Sequence, residues 1–302
     1  MRILVVGATG YLGSHIVRNL VAAGHRVSGL SRGEAGDATI KAHGAEPRRG
    51  DLADPQGVVT AMHDHDATIY AAQLLLDDEF ETVRTLLRGV TGREHTFLFT
   101  SGTGLLSQRT DGAWSEDTFA EDEPFVPSKY IGMRLVTETL VRQAGSSGTV
   151  RAMVVRPPMI WGNGGCGHLR MFYADAGRSV DVAYLGQGLN LYSNVHVDDL
   201  AHVYHLALDR GTPGALYDAV AGELANRALA QAVAADLGLT ARSVDLDEGI
   251  RRWGKFETLI GMAVSSRSRS PRTRRELGWV PRHTDILSDI GHPAYRALMG
   301  DR

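Results

Sequence analysis

Residues 3–13 read Ile3-Leu4-Val5-Val6-Gly7-Ala8-Thr9-Gly10-Tyr11-Leu12-Gly13, an apolar run that passes directly into a glycine-rich loop. Ser14 to Ala23 follows the loop, and its apolar side chains have the spacing of one helix face, at Ile16, Val17, Leu20 and Val21. The stretch predicts a strand, a tight turn and a helix, in that order.

A unit of this kind suits the binding of a pyrophosphate. Gly7 allows the sharp turn, Gly10 lets the backbone approach the phosphates, and Gly13 lets the helix pack closely on the sheet. The free N–H groups and the positive end of the helix dipole then face the anion. A glycine triplet alone is a weak signal, but the apolar strand before it and the amphipathic helix after it favour dinucleotide binding over a purely structural turn.

Length and composition exclude several classes of protein. The 302 residues have room for one large or two modest domains, and 43% hydrophobic with 22% charged residues is the composition of a globular protein. A net charge of −3 gives no electrostatic reason to expect nucleic acid or a membrane as partner. We expect a small-molecule substrate instead.

The only cysteine is Cys166, so no intrachain disulfide forms and a reducing compartment is the simpler location. With no base beside it, this thiol is interpreted as a bystander. No apolar run approaches the roughly 20 residues that span a bilayer, and the His and Asp residues lack a metal-ligand spacing. We expect a cytoplasmic protein without a metal site.

The second predicted strand, Arg26 to Leu30, ends in Ser31-Arg32, with Glu34 close behind. The residue at this strand end meets the adenosine ribose, where a basic side chain suits a 2′-phosphate. Arg32 therefore favours NADP over NAD by about 1.5 to 3 kcal/mol. A solvated surface arginine is the alternative, and an inward-pointing Glu34 would weaken the preference.

Strands and helices alternate further along the chain. Strands are predicted at 46–49, 66–72 and 96–100, and helices at about 54–63, where Asp54 and Pro55 have the pattern of an N-cap and first turn, and at about 77–90. This alternation predicts a Rossmann-type, doubly wound parallel sheet with helices on both faces.

Two polar segments follow the fifth strand. Thr100-Ser101-Gly102-Thr103-Gly104 stands at its carboxyl end, where ligands collect in such sheets. Pro127 to Gln143 is predicted as a helix, on which Tyr130, Arg134 and Glu138 fall four residues apart and so share one face.

Together these segments resemble the extended short-chain dehydrogenase/reductase family, also called the NAD-dependent epimerase/dehydratase family. The resemblance covers nearly the full chain. Its motifs are the glycine loop, Gly50-Asp51-Leu52, Thr100-Ser101-Gly102-Thr103, the tyrosine helix, Arg156-Pro157-Pro158-Met159-Ile160-Trp161-Gly162, Val195-His196-Val197-Asp198-Asp199-Leu200-Ala201 and Glu276-Leu277-Gly278-Trp279-Val280-Pro281.

The resemblance implies a site. The cofactor contacts that it implies are Gly7, Thr9, Gly10, Tyr11, Leu12, Gly13, Ser31, Arg32, Asp51, Leu52, Ala71, Ala72, Thr100, Arg134 and Pro157. The helical tyrosine, Tyr130, and a Ser or Thr after the fifth strand touch the reacting oxygen. The usual serine position falls near Gly102, which leaves Ser101 or Thr103, and Thr103 is favoured because it lies deeper in the turn.

The chain departs from the family where a lysine normally follows the tyrosine by four residues. In the register fixed by Glu138 that position is Arg134. The alternative register uses Lys129, but Phe125 then replaces the tyrosine and Met133 the glutamate. Lowering a tyrosine pKa from near 10 to neutrality takes roughly 4 kcal/mol. Arginine supplies positive charge and ribose donors, although it stays protonated and cannot relay a proton.

The resemblance also implies two interleaved domains, with a nucleotide-binding domain at 1–160 and about 190–220. A smaller, discontinuous α+β substrate domain takes about 161–189 and 221–302. Helices such as Pro127 to Gln143 often form the contact of a homodimer in this family. The candidate substrate contacts, each of which packing would also explain, are Trp161, His168, Tyr173 and Tyr192. His196 is interpreted as structural, and the arginine-rich run from Ser265 to Arg275 as a solvated flank.

The leading functional hypothesis is an NADP-dependent oxidoreductase that transfers a hydride between nicotinamide and a carbonyl or alcohol carbon, with Tyr130 as general acid or base. One alternative is a nucleotide-sugar epimerase or dehydratase that retains NAD. The other is a regulatory protein that senses NADP and has little catalytic activity.

Overall fold

The computed structural model describes residues 1–128 and 130–300, which form alternating strands and helices over the first half of the chain. The strands are β1 (Arg2–Val6), β2 (Arg26–Ser31), β3 (Glu46–Arg49), β4 (Ala67–Tyr70), β5 (Thr96–Thr100), β6 (Gln108–Arg109), β7 (Arg151–Arg156), β8 (Met159–Trp161), β9 (Asp181–Leu185), β10 (Leu191–His196), β11 (Leu216–Asp218), β12 (Gly222–Ala225), β13 (Thr240–Val244) and β14 (Val264–Ser265). The helices are α1 (Tyr11–Ala22), α2 (Glu34–Ala42), α3 (Pro55–Met62), α4 (Leu76–Gly89), α5 (Met133–Ser146), α6 (Gly167–Ala176), α7 (Val197–Arg210), α8 (Asn226–Leu237), α9 (Leu246–Trp253), α10 (Lys255–Glu257), α11 (Pro271–Leu277) and α12 (Pro293–Arg296).

Seven strands form one parallel sheet in the order β11-β7-β5-β4-β1-β2-β3. The strand order reverses between β1 and β4, and the crevice at the carboxyl ends of these two strands is where such sheets bind ligands. The predicted doubly wound Rossmann-type sheet is confirmed.

Strand β1 shows why the sheet is covered on both faces. Its side chains alternate between two hydrophobic cores, with Ile3 and Val5 in one and Leu4 and Val6 in the other, and all four are fully buried. Helices α1 and α7 cover the first face, and α3 and α4 the second. A continuous apolar run is the sequence pattern of such a doubly covered strand.

A third hydrophobic core lies outside the large sheet and combines residues 159–192 with residues 229–295. Three small sheets, in the orders β12-β10-β8, β13-β9 and β14-β6, contribute side chains to it. Among the described residues, no helix is at once long and apolar enough to cross a membrane.

Three local features were absent from the sequence analysis or misplaced in it. Helix α2 was not predicted, because its sequence buries a single apolar side chain, Ile40. Helix α5 begins at Met133 instead of Pro127, since the Ser128 amide donates to the Leu105 carbonyl outside the helix. Helix α7 begins at Val197 with the His196 side chain as its N-cap, so Asp198 and Asp199 lie in its first turn.

A buried histidine links β4 to β5 at their amino-terminal ends. The Nδ1–H of His95 donates to the His65 carbonyl at 3.1 Å, and its Nε2 accepts from the Thr68 hydroxyl at 3.0 Å. Burial lowers the pKa of His95 from 6.5 to about 4. In the folded chain His95 therefore stays neutral at pH values where it is protonated in the unfolded chain.

Stability is expected to fall as the pH drops from 6.5 towards 4, because the unfolded chain then binds a proton on His95 that the folded chain excludes. His95 accounts for a decrease of about 3 kcal/mol in the free energy of unfolding at low pH, and this decrease is absent above pH 7. Urea unfolding of the wild type and His95→Gln across this range measures it. The exposed His63→Gln serves as control, and equal acid sensitivity of the wild type and His95→Gln contradicts the assignment.

Candidate active site

The glycine loop passes the residues that follow β4 at a distance that only glycine allows. Gly7 has a φ of +88°, and a Cβ built on it would lie 2.7 Å from the backbone carbon and oxygen of Ala71. A Cβ on Gly13 would overlap the Gly7 carbonyl oxygen. These two contacts bring the start of α1 against the end of β1, as the motif predicts.

The first turn of α1 presents unsatisfied amides at this point. Its N-cap is Gly10, which has no side chain to cap the helix, and the Gly10 amide donates to the Gly7 carbonyl at 3.0 Å. Uncapped N–H groups and the helix dipole favour an anion at this end of the helix. The loop therefore fits a pyrophosphate.

A cavity of about 640 Å³ opens beside the loop, at the carboxyl ends of β1 to β4. Seven of the predicted cofactor contacts line it: Gly7, Thr9, Ser31, Arg32, Asp51, Leu52 and Ala72. The remaining predicted contacts are not among its lining residues. The start of α2, which the sequence did not reveal, forms part of the wall through Gly33, Ala35 and Gly36.

Arg32 is exposed at the end of β2 and lines this cavity. It makes no hydrogen bond or ion pair with any residue that the structure describes. Glu34 is exposed at the start of α2 and is not part of the cavity wall. The Ser31 hydroxyl donates to the Gly33 carbonyl at 2.9 Å and so shapes the turn between β2 and α2.

Tyr11 reaches away from the cavity. Its hydroxyl donates to the Gly162 carbonyl at 2.6 Å, its ring lies against Gly165, and burial raises its pKa. The edge of the ring meets His15, whose Nδ1 lies 2.5 Å from Asp198. Tyr11 thus joins the glycine loop to the loop at residues 162–165.

Tyr130 lies in a turn before α5 and is about half exposed. The Ser128 amide donates to the Leu105 carbonyl at 3.1 Å, and the Ile131 side chain covers Gly104. These contacts place the tyrosine turn against the 3₁₀ turn at residues 103–106, which follows β5. The two segments predicted to carry the chemistry are therefore neighbours, although Tyr130 is not on the helix.

The two candidate hydroxyls after β5 have different surroundings. Thr103 is buried, and the Ser266 hydroxyl lies 3.0 Å from its carbonyl and 3.4 Å from its Oγ1. Ser101 is also buried, but its Oγ has no hydrogen-bond partner among the described residues. The Ser101 hydroxyl is thus the one that a ligand would satisfy.

The other predicted contacts at this strand end are held by the protein. Thr100 shares a hydrogen bond of 2.7 Å with the Tyr204 hydroxyl, and the Pro157 carbonyl accepts from the Thr103 amide at 2.9 Å. Of the alternative tyrosine register, Lys129 lies outside the described residues. Phe125 lies over the Arg156 guanidinium at 5.4 Å.

Arg134 binds Glu79 instead of facing the cavity. Its Nε and Nη2 donate to the two carboxylate oxygens at 3.1 and 3.0 Å, and the Glu79 side chain is fully buried. Burial raises the pKa of Glu79 to about 6, while Arg134 acts to lower it. A buried carboxylate needs such a partner. In the sequence, Glu79 looked like an ordinary acidic residue of a first helical turn.

A second buried ion pair anchors the next turn of α5. Arg156 donates to both oxygens of Glu138, at 2.9 and 2.5 Å, and its Nη1 lies 3.7 Å from Asp218. Burial and the neighbouring Glu121 and Glu138 raise the pKa of Asp218 well above its ordinary value, although Arg156 lowers it. The sequence showed Arg156 only as part of a motif.

The four candidate substrate contacts are buried or partly buried, and Trp161, Tyr173 and Tyr192 belong to the third hydrophobic core. Trp161 donates to Asn194, Tyr173 to Asp236 and Tyr192 to the Ile260 carbonyl. The Nε2 of His168 has no hydrogen-bond partner among the described residues, its ring centroid lies 4.6 Å from that of Tyr192, and burial lowers its pKa to about 4.

Comparison with known proteins supports the family that the sequence motifs resemble. The model of the NAD dependent epimerase/dehydratase family matches residues 3–219. An uncharacterized protein of Schizosaccharomyces pombe is 32% identical, over 98% of this chain and 100% of its own length. A 4-hydroxy-2-methyl-3-oxo-4-farnesyl-3,4-dihydroquinoline-1-oxide ketoreductase of Stigmatella aurantiaca is 30% identical, over 72% of this chain and 67% of its own.

A solved structure shares the fold. The dTDP-glucose 4,6-dehydratase of Bacillus anthracis, in complex with NAD, superposes with a TM-score of 0.76 at 16% identity, over 99% of this chain and 95% of that one. The chain belongs to the NAD-dependent epimerase/dehydratase family. The predicted family and an enzyme of the short-chain dehydrogenase/reductase type are thereby confirmed.

Gly7→Ala is expected to abolish binding of NADPH and NADH, because the added Cβ would meet the Ala71 backbone. Gly24→Ala is the matched control, since Gly24 has a similar φ of +82° but nothing within 4 Å of the added Cβ. We expect the control to lose about 1 kcal/mol of stability and no affinity. Cofactor fluorescence and urea unfolding measure both effects, and wild-type binding by Gly7→Ala contradicts the assignment.

Proposed function

We propose that this protein is an NADP-dependent oxidoreductase that transfers a hydride between nicotinamide and a carbonyl or alcohol carbon of a small or medium-sized substrate. The observation that carries the cofactor assignment is the cavity wall at Arg32, whose guanidinium has no partner among the described residues. A basic side chain at the end of the second strand is suited to a 2′-phosphate, and an acidic one to a free ribose.

The cavity residues fit the adenosine half of the cofactor. In this assignment Gly7, Gly10 and the first amides of α1 receive the pyrophosphate, and Asp51 and Leu52 lie against the adenine. Ala72 lets the cofactor pass close to the end of β4. When bound, the reduced nicotinamide supplies the hydride from its C4.

The remaining groups act on the substrate oxygen. We assign Tyr130 as the proton donor in the direction of reduction and as the acceptor in the direction of oxidation. We assign the Ser101 hydroxyl to hold the oxygen, because it is the candidate hydroxyl without a protein partner, with Thr103 as its neighbour in the same turn.

The pairing of Arg134 with Glu79 favours reduction as the productive direction. Reduction requires a neutral tyrosine hydroxyl that gives its proton to the substrate oxygen. Oxidation requires the tyrosinate, which a free cation close to the hydroxyl would stabilise. Arg134 is bonded at both carboxylate oxygens of Glu79. The ketoreductase of Stigmatella aurantiaca, a relative by sequence, supports this direction by its name.

The same ion pair makes an NADP-sensing regulatory protein the second candidate. A chain that binds the cofactor while Arg134 serves only to hold α5 on α4 would bind without efficient turnover. An epimerase or dehydratase that retains NAD is less favoured, because Arg32 leaves a positive charge where that cofactor has a ribose hydroxyl. Copurified NAD(H) would support this last reading.

Arg32→Ala is expected to raise the Kd for NADPH tenfold to a hundredfold, which corresponds to about 1.5 to 3 kcal/mol, and to leave the Kd for NADH within about twofold. Titration of the reduced cofactors by fluorescence measures this. Arg26→Ala is the control, because Arg26 lies at the other end of the same strand. Equal changes for the two cofactors would falsify the assignment of Arg32.

Tyr130→Phe is expected to lower kcat about 10²- to 10⁴-fold for reduction of a responsive aldehyde or ketone, because the proton donor is lost. NADPH affinity should stay unchanged, since Tyr130 is not among the residues that line the cavity assigned to the cofactor. Oxidation of NADPH in the presence of a carbonyl panel measures the rate. Unchanged turnover by Tyr130→Phe removes Tyr130 from the mechanism. If the wild type binds NADPH tightly but turns over no carbonyl, the NADP-sensing regulatory protein is favoured instead.

A further inference from the structure

A second arginine stands beside the predicted phosphate site, at the end of β3. In the parallel register of β2 and β3, Arg49 pairs with Ser31, the residue directly before Arg32. The Gly50 amide donates to the Ser31 carbonyl at 3.0 Å and continues this pairing past the strand end. Arg32 and Arg49 therefore leave neighbouring strands at the same edge of the sheet.

Among residues 1–128 and 130–300, the one ion-pair partner of the Arg49 guanidinium is Asp37. Its Nη2 forms an ion pair of 2.9 Å with Asp37 on α2. Its Nη1 lies 3.7 Å from the position that a Cβ would take on Gly33, and Gly33 lines the cavity beside Arg32. One carboxylate thus fixes the orientation of the group, and another of its nitrogens lies against the cavity wall.

The two arginines at the ends of β2 and β3 and the two carboxylates at the start of α2 have no net charge together, until a further anion binds. Arg32 and Arg49 lie at the ends of β2 and β3, Glu34 and Asp37 belong to the first turn of α2, and Arg49 is paired with Asp37. A phosphate monoester carries close to two negative charges at neutral pH. Placed next to Asp37 it would be repelled, unless a cation stood between them. Arg49 can supply that cation, because it binds Asp37 through Nη2 and keeps other N–H donors after doing so.

We propose that Arg49, oriented by Asp37, is a second ligand of the 2′-phosphate and sets the NADP preference together with Arg32. This inference rests on the proposed NADP-dependent function. It assigns Asp37 a positioning role, although an acidic residue near a phosphate site suggests the opposite preference. The ligand class is an adenosine phosphate that carries a 2′-phosphomonoester.

The test compares binding of NADPH and NADH to the full-length chain and to Arg49→Ala, Arg32→Ala and the double variant. Adenosine 2′,5′-bisphosphate and 5′-AMP, used as competitors, repeat the comparison without the nicotinamide. Arg48→Ala is the matched control, because Arg48 is the adjacent residue of the same strand and pairs with Asp64 at 2.9 Å. Alternation along β3 places its side chain on the other face.

We expect Arg49→Ala to weaken NADPH and the bisphosphate about tenfold and to leave NADH and 5′-AMP within about twofold. The double variant should bind NADPH and NADH with similar affinity. Suppose that Arg32→Ala weakens NADPH more than NADH, whereas Arg49→Ala has no effect or weakens both cofactors equally. The role of Arg49 is then overturned while the NADP assignment stands. If neither single substitution weakens NADPH more than NADH, the NADP assignment fails and this inference fails with it.

Discussion

The backbone of Gly7 runs so close to the backbone of Ala71 that no side chain fits between them, and the position of the site follows from this contact. Gly13 packs on the Gly7 carbonyl in the same way. These contacts draw the start of α1 into the crevice between β1 and β4, where the strand order reverses. The ends of β2 and β3 must then face the same crevice, because all these strands are parallel and in register.

Sequence reasoning located the parts of this arrangement that local chemistry determines. The turn at the glycine loop, the buried strands and the N-cap of α3 depend on nearby residues, and they were predicted correctly. The N-cap is Asp54, whose side chain accepts from the Gly57 amide. Helix α2 has a single buried apolar side chain and so gave no periodic signal. The start of α5 depends on a hydrogen bond from Ser128 to a distant turn, which no local pattern records.

The role of Arg134 was beyond sequence reasoning for a related reason. Its partner Glu79 precedes it by 55 residues, and only the packing of α4 against α5 brings the two together. Arg134 and Glu138, one helical turn apart, each complete a buried ion pair with a different element. Arg134 and Glu138, whose spacing resembles a family motif, therefore also anchor α5 and fix the turn that carries Tyr130. Buried pairs of this kind specify an arrangement more than they stabilise it.

Tyr11 has a consequence for how this protein could be recombined with its relatives. Its ring and hydroxyl join the glycine loop to the loop at residues 162–165, and the Gly162 and Gly164 amides donate in turn to Asp289 near the end of the chain. Residues 1–160 are therefore not an independent module that a chimera could combine with residues 161–189 of a relative. A graft that replaces residues 161–189 must keep a carbonyl in reach of Tyr11 and a carboxylate at position 289, or the glycine loop loses the support that Tyr11 gives it.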